Sequence, residues 1–71
     1  MNDINYIEMG MRIKQLRIKR GLTVERLAEL LGVGVRVIYR WQNGETVPSV
    51  EHLYVLAQVL DTTMEYILTG K

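Results

Sequence analysis

The chain has 71 residues, 48% of them hydrophobic and 24% charged, with a formal net charge of +1 and no cysteine. At this length one core is the most it can build, which predicts a single domain over residues 1–71, and the absent thiols exclude disulfides and thiolate metal sites. The start lacks the basic and apolar segments of a secretory leader, and no apolar run nears the ~20 residues that span a bilayer, so a cytoplasmic protein with no membrane partner is expected.

Five short helices can be read in chain order, and no alternation bounded by turns points to a strand, so the expected fold class is all-α. The first helix starts after a cap at Asn2 or Asp3, runs to about Arg20 with Ile4, Ile7, Met9, Ile13 and Leu16 as its core stripe, and stops at Gly21. Thr23 caps the second, with Glu25 near the positive end of its dipole. The third covers residues 35–43 and closes at Gly44, beyond which Pro48 bars continuation. Ser49 caps the fourth, whose Leu53, Leu56, Ala57 and Leu60 follow the i, i+3, i+4, i+7 pattern of a core face. Thr63 caps the last, Met64 to Thr69, before Gly70.

The stretch from Thr23 to Asn43, T-V-E-R-L-A-E-L-L-G-V-G-V-R-V-I-Y-R-W-Q-N, constrains geometry most tightly. Leu27 and Leu31 lie four apart on one helix, Ile38 and Trp41 three apart on the next, and Val33 plugs the corner between them. Ala28 permits close approach, and Gly32 can take the positive φ that ends a helix. Two short helices crossing steeply through a tight turn form a helix-turn-helix, which presents its second helix to a DNA major groove.

At about 100° per residue, Ile38 and Trp41 point inward while Val35, Arg36, Tyr39 and Arg40 share the outer arc. Arginine can take guanine O6 and N7 bidentately, and valine suits a thymine methyl. Arg36 is therefore expected to read a base, Val35 to pack on a thymine, and Tyr39 and Arg40 to reach a base edge or a phosphate. Phosphate contacts are expected from Thr23, Asn43, Thr46 and the backbone of Gly44, Glu45 and Thr46, with the Glu45 carboxylate turned away. Charge distribution agrees with this more than net charge does. Residues 11–40 carry eight basic and two acidic groups, a local charge of +6, against −2 over residues 1–10 and −3 over residues 41–71. Such asymmetry steers a polyanion to one face.

With these anchors in view, the chain resembles the phage-repressor-like helix-turn-helix family, the Xre or Cro/CI type. The match runs as I-K-Q-L-R from Ile13, G-L-T from Gly21, L-A-x-L-L-G-V from Leu27, I-Y-R-W-Q-N-G from Ile38, P-S from Pro48 and L-x-x-L-A-x-x-L from Leu53. The resemblance implies a compact five-helix lambda-repressor-like domain with its helix-turn-helix at helices two and three. It also implies binding to double-stranded operator DNA, usually as a dimer on an inverted repeat, as a transcriptional repressor or less often an activator. Several positions depart from the family pattern. Val24 and Val35 stand where glutamines are common, Gly34 where a Ser or Thr often caps the recognition helix, and Gln42 where a glutamate pairs with the arginine matching Arg17. A neutral amide cannot neutralise a guanidinium, so Arg17 is expected to be partly exposed or turned toward phosphate.

The last two helices carry more apolar surface than a monomer needs. Tyr54, Met64, Tyr66 and Ile67 are the expected homodimer interface, the alternative being that Tyr6 and Ile7 of the first helix cover them. Catalysis is not expected: His52 is the only histidine and Ser49 the only serine, and a Ser49, His52, Asp61 triad finds no support in the spacing. Neither a cofactor, a metal nor a small-molecule substrate is implied, and no effector domain is expected to follow. The apolar excess also suits a second function class, an antitoxin or anti-repressor whose main partner is another protein.

Overall fold

Side-chain caps decide where most of the helices begin. The computed structural model describes residues 4–71, and these form α1 (Tyr6–Lys19), α2 (Val24–Leu31), α3 (Val35–Gln42), α4 (Val50–Val59) and α5 (Met64–Thr69), with no strand among the described residues. Thr23 Oγ1 accepts the Arg26 amide at 3.0 Å, Ser49 Oγ the His52 amide at 3.2 Å and Thr63 Oγ1 the Tyr66 amide at 3.0 Å, as the sequence predicts. The first helix departs from expectation. Asn2 and Asp3 lie outside the described residues, and the cap is Asn5, whose extended backbone and Oδ1, accepting the Glu8 amide at 3.1 Å, fix the start at Tyr6. Several polar residues at this end could cap a helix. Tertiary packing selects the one that brings Met9 and Ile13 onto the core.

The core joins α1 through Met9 and Ile13, α2 through Leu27, Ala28 and Leu31, α3 through Ile38 and Trp41, α4 through Leu53, Leu56 and Ala57, and α5 through Ile67. α1 packs on α3 and α5, α2 on α3 and α4, and α4 on α5. The corner between α2 and α3 is a three-residue turn in which Gly32 adopts φ 71°, and the Val33 amide donates to the Ala28 carbonyl at 3.0 Å. The Ala28 carbonyl also accepts the Gly32 amide, so the turn's own backbone closes the last turn of α2.

Two sequence assignments need correction. Ile7, placed in the core stripe of the first helix, is 63% exposed, because at about 100° per residue it falls on the side of α1 away from Met9 and Ile13, while Ile4 and Leu16 stay half-buried against the core. Ile67, assigned to a dimer interface, is completely buried. A helix of six residues has one face, and Ile67 is the residue that face plants in the core. The idea that Tyr6 and Ile7 cover the last two helices also fails, since both are exposed and Ile7 lies against Gly44.

Candidate nucleic-acid interface

α3 is held from behind and open in front. Ile38 is fully buried and Trp41 is 3% exposed, while Arg36, Tyr39 and Arg40 on the opposite arc are exposed. Burying a side chain of this size contributes about 1.5–3 kcal/mol, so the two anchors fix the rotation of the helix about its axis. Other cations are engaged: Arg26 pairs with Glu29 at 2.6 Å, Arg20 with Asp61 at 3.8 Å, and Arg12 donates to the Ile67 and Leu68 carbonyls at 3.0 Å each. The guanidiniums of Arg36 and Arg40 have no such partner among the described residues. Two unneutralised charges four residues apart therefore point the same way, with the Tyr39 phenol beside them.

The remaining predicted residues divide. Val35 is half-buried against the core, which leaves less of it free for a base than the sequence reading assumed. Thr23, Asn43 and Thr46 are exposed, and Thr23 uses only an acceptor lone pair in its cap, so its hydroxyl hydrogen remains available. The backbone amides of the following loop do not remain available. Gly44 donates to the Trp41 carbonyl at 3.1 Å, and Glu45 and Thr46 both donate to that of Arg40, at 2.9 and 3.4 Å. These bonds close the end of α3, and the loop's contribution to any anion contact falls to side chains. Tyr54 is 56% exposed, whereas Met64 and Tyr66 are half-buried.

The departures at the four unusual positions acquire physical content. Val24 is buried in the core, so its position serves packing. Arg17 is half-buried, and Nε donates to Gln42 Oε1 at 2.8 Å and an Nη to the Leu22 carbonyl at 2.7 Å, two neutral acceptors with no carboxylate partner among the described residues. Gly34 precedes α3 without a side-chain cap, at φ −77° and ψ 158°, and no atom lies within 4 Å of where a Cβ would stand. Gly34→Ser should therefore raise stability by about 0.5–1 kcal/mol, by adding a cap acceptor and stiffening the unfolded chain, read as a rise in thermal midpoint. Sequence reasoning missed Gly10, which is buried where α1 crosses α3; a Cβ there would meet the carbonyl oxygens of Trp41 and Gln42, the latter at 2.5 Å. Its one signal was a glycine in the middle of an otherwise regular helix. The Ser49, His52, Asp61 grouping does not assemble. His52 Nδ1 is 3.1 Å from Ser49 Oγ and its ring tilts against Trp41, while Asp61 is turned to Arg20.

A family model described as helix-turn-helix matches residues 13–67, a span that runs from the middle of α1 into α5 and contains all of α2, α3 and α4. The chain belongs to that family. Within it, the chain is of the phage-repressor-like type. It is 34% identical over 62 residues to the repressor protein C2 of Salmonella phage P22, across 87% of this chain and 29% of that protein. It is 32% identical over 65 residues to the HTH-type transcriptional activator BcrR of Enterococcus faecalis, across 92% of this chain and 32% of that protein. The helix-turn-helix chain thus spans about a third of the length of these curated relatives. The crystal structure of the P22 c2 repressor with a synthetic operator superposes with a TM-score of 0.85 at 33% identity, covering 89% of this chain and 96% of that one. No helix among the described residues is long and apolar enough to cross a membrane.

Proposed function

We propose that residues 1–71 act as one unit that binds double-stranded DNA sequence-specifically in the cytoplasm and regulates transcription, as a repressor on an inverted-repeat operator. The observation that carries this reading is the arc of α3 on which Arg36, Tyr39 and Arg40 stand exposed, with no partner among the described residues, in front of buried Ile38 and Trp41. Arg36 reads a guanine in the major groove, Tyr39 and Arg40 reach a base edge or phosphate, and the exposed part of Val35 meets a thymine methyl. The side chains of Thr23, Asn43 and Thr46 hold the backbone and set the register. The protein that the P22 structure describes is itself bound to an operator, which favours this reading over an antitoxin or anti-repressor role. The unit binds rather than catalyses, since its single histidine tilts against Trp41 and, among the described residues, its ring makes a polar contact only with its own cap residue.

A homodimer built through Tyr54, with the exposed parts of Met64 and Tyr66, would set two copies of α3 about 34 Å apart, one turn of duplex. Val50, four residues before Tyr54 and 72% exposed, extends that patch. Selecting bound sequences from random duplexes supplies the operator for the decisive measurement. Arg36→Ala should then weaken operator binding about tenfold, relax the preference for the guanine it faces, and leave binding to scrambled DNA nearly unchanged. An equal loss on both duplexes removes base reading by Arg36, and failure to retard any duplex at low ionic strength removes the function.

A further inference from the structure

Besides the row it buries, α1 carries a second apolar row that faces solvent. Ile7, Met11 and Ile18 are 63%, 51% and 57% exposed. At about 100° per residue they lie within roughly 40° of one another, on the side of the helix away from Met9 and Ile13. Three exposed apolar groups in line on a small domain mark a contact surface. Glu8 stands at the N-terminal end of one flank of this row and Lys19 at the C-terminal end of the same flank. Neither side chain has a partner among the described residues.

We propose that this row is an isologous contact with a second copy of the chain, the two α1 helices lying antiparallel. A two-fold axis passing near residues 12 and 13 sets Ile7 against the partner's Ile18 and Met11 against the aliphatic stem of the partner's Lys14, each contact occurring twice. The same axis brings Glu8 to the partner's Lys19, because flanks of the same hand meet in an antiparallel pair. A parallel pair would instead bring opposite flanks together, leaving Glu8 and Lys19 on the other side of the seam from their copies with no opposite charge to meet. An open groove of about 320 Å³, lined by Glu8, Met11, Arg12 and Gln15, runs along this flank beside the two-fold axis. The pattern of charge fits a copy of itself better than a partner of one sign. Three helical turns bury much less than the ~1,600 Å² of a standard stable interface, so the contact is weak, with a dissociation constant on the order of 100 μM. It is separate from the patch around Tyr54.

The test is sedimentation of the chain carrying Tyr54→Glu, which silences association through α4 and α5, from about 10 μM to 1 mM. That chain should still self-associate, and Ile18→Glu added to it should weaken the association at least tenfold with the helical circular dichroism unchanged. Glu8→Lys or Lys19→Glu alone should weaken it severalfold, and the two together should restore it. Ile7→Cys with Ile18→Cys should give disulfide-linked dimers on mild oxidation. A chain that stays monomeric throughout, or associates equally with and without Ile18→Glu, overturns the proposal. So does retention by phosphatidylglycerol vesicles that Ile18→Glu abolishes while sedimentation is unchanged, which would give the row to a lipid surface.

Discussion

Gly10→Ala should lower stability by about 3 kcal/mol, a fall of roughly 10–20 °C in thermal midpoint for a domain of this size. The direction runs against helix propensity, since alanine in place of glycine inside an exposed helix gains about 1 kcal/mol. Here the added methyl would stand 2.5 Å from the Gln42 carbonyl oxygen and 2.8 Å from its carbonyl carbon, with the Trp41 carbonyl oxygen nearer still. These are backbone atoms at the end of α3, so no rotamer change can relieve the contact. Either α1 lifts away, opening space around Met9 and Ile13, or α3 shifts with its anchors Ile38 and Trp41. The second route also displaces Arg36 and Arg40, and operator affinity should fall at temperatures where the variant is still folded. Thermal unfolding followed by circular dichroism checks the first effect and duplex retardation the second. Lys14→Ala, on the exposed side of the same helix, is the control and should be nearly neutral. A Gly10→Ala chain as stable as the parent would mean that α1 and α3 do not cross as closely as described.

The same residue marks the limit of what can be read from the chain alone. Thr23, Ser49 and Thr63 were legible as caps because capping is a local contract between a side chain and an amide three residues on. Ile38 and Trp41 were legible as anchors because their spacing leaves one way to face a core. Gly10 was not, since the reason for a glycine there lies in another helix. Ile67 was misplaced for a related cause. Its helix is too short to show a period, and which of its faces meets α1 is settled by Arg12, whose Nε and Nη2 hold the Ile67 and Leu68 carbonyls. The loop amides of Glu45 and Thr46 looked free because loops usually leave amides free, whereas here both close on the Arg40 carbonyl. The outward arc of α3 was legible at Arg36, Tyr39 and Arg40, whereas the half-burial of Val35 comes from packing that a helical wheel does not contain.

Replacing Gln42 should separate stability from DNA binding. Gln42 is buried and its Oε1 is one of two neutral oxygens that receive the half-buried guanidinium of Arg17. Hydrogen bonds to a charged group contribute about 1.5–3 kcal/mol, so Gln42→Leu, which keeps the volume and removes the acceptor, should destabilise by about 2 kcal/mol. Gln42→Glu keeps the acceptor and adds the charge that Arg17 lacks, and it should stabilise by about 1 kcal/mol near neutral pH. The sign of its pH dependence follows from the arginine, which favours the ionised carboxylate and lowers its folded pKa below the ordinary value of about 4.3. The gain is therefore complete above that value and is lost as pH falls through the lower, folded pKa. On DNA the order reverses. A carboxylate at the end of α3 offsets one of the positive charges that draw the duplex, so Gln42→Glu should bind more weakly and with a shallower dependence on salt than the parent chain. Chemical denaturation at pH 7 and pH 3, set beside retardation at two salt concentrations, measures both. If Gln42→Glu raised stability and DNA affinity together, Arg17 would be a structural cation alone, and the charge of this junction would have no part in binding.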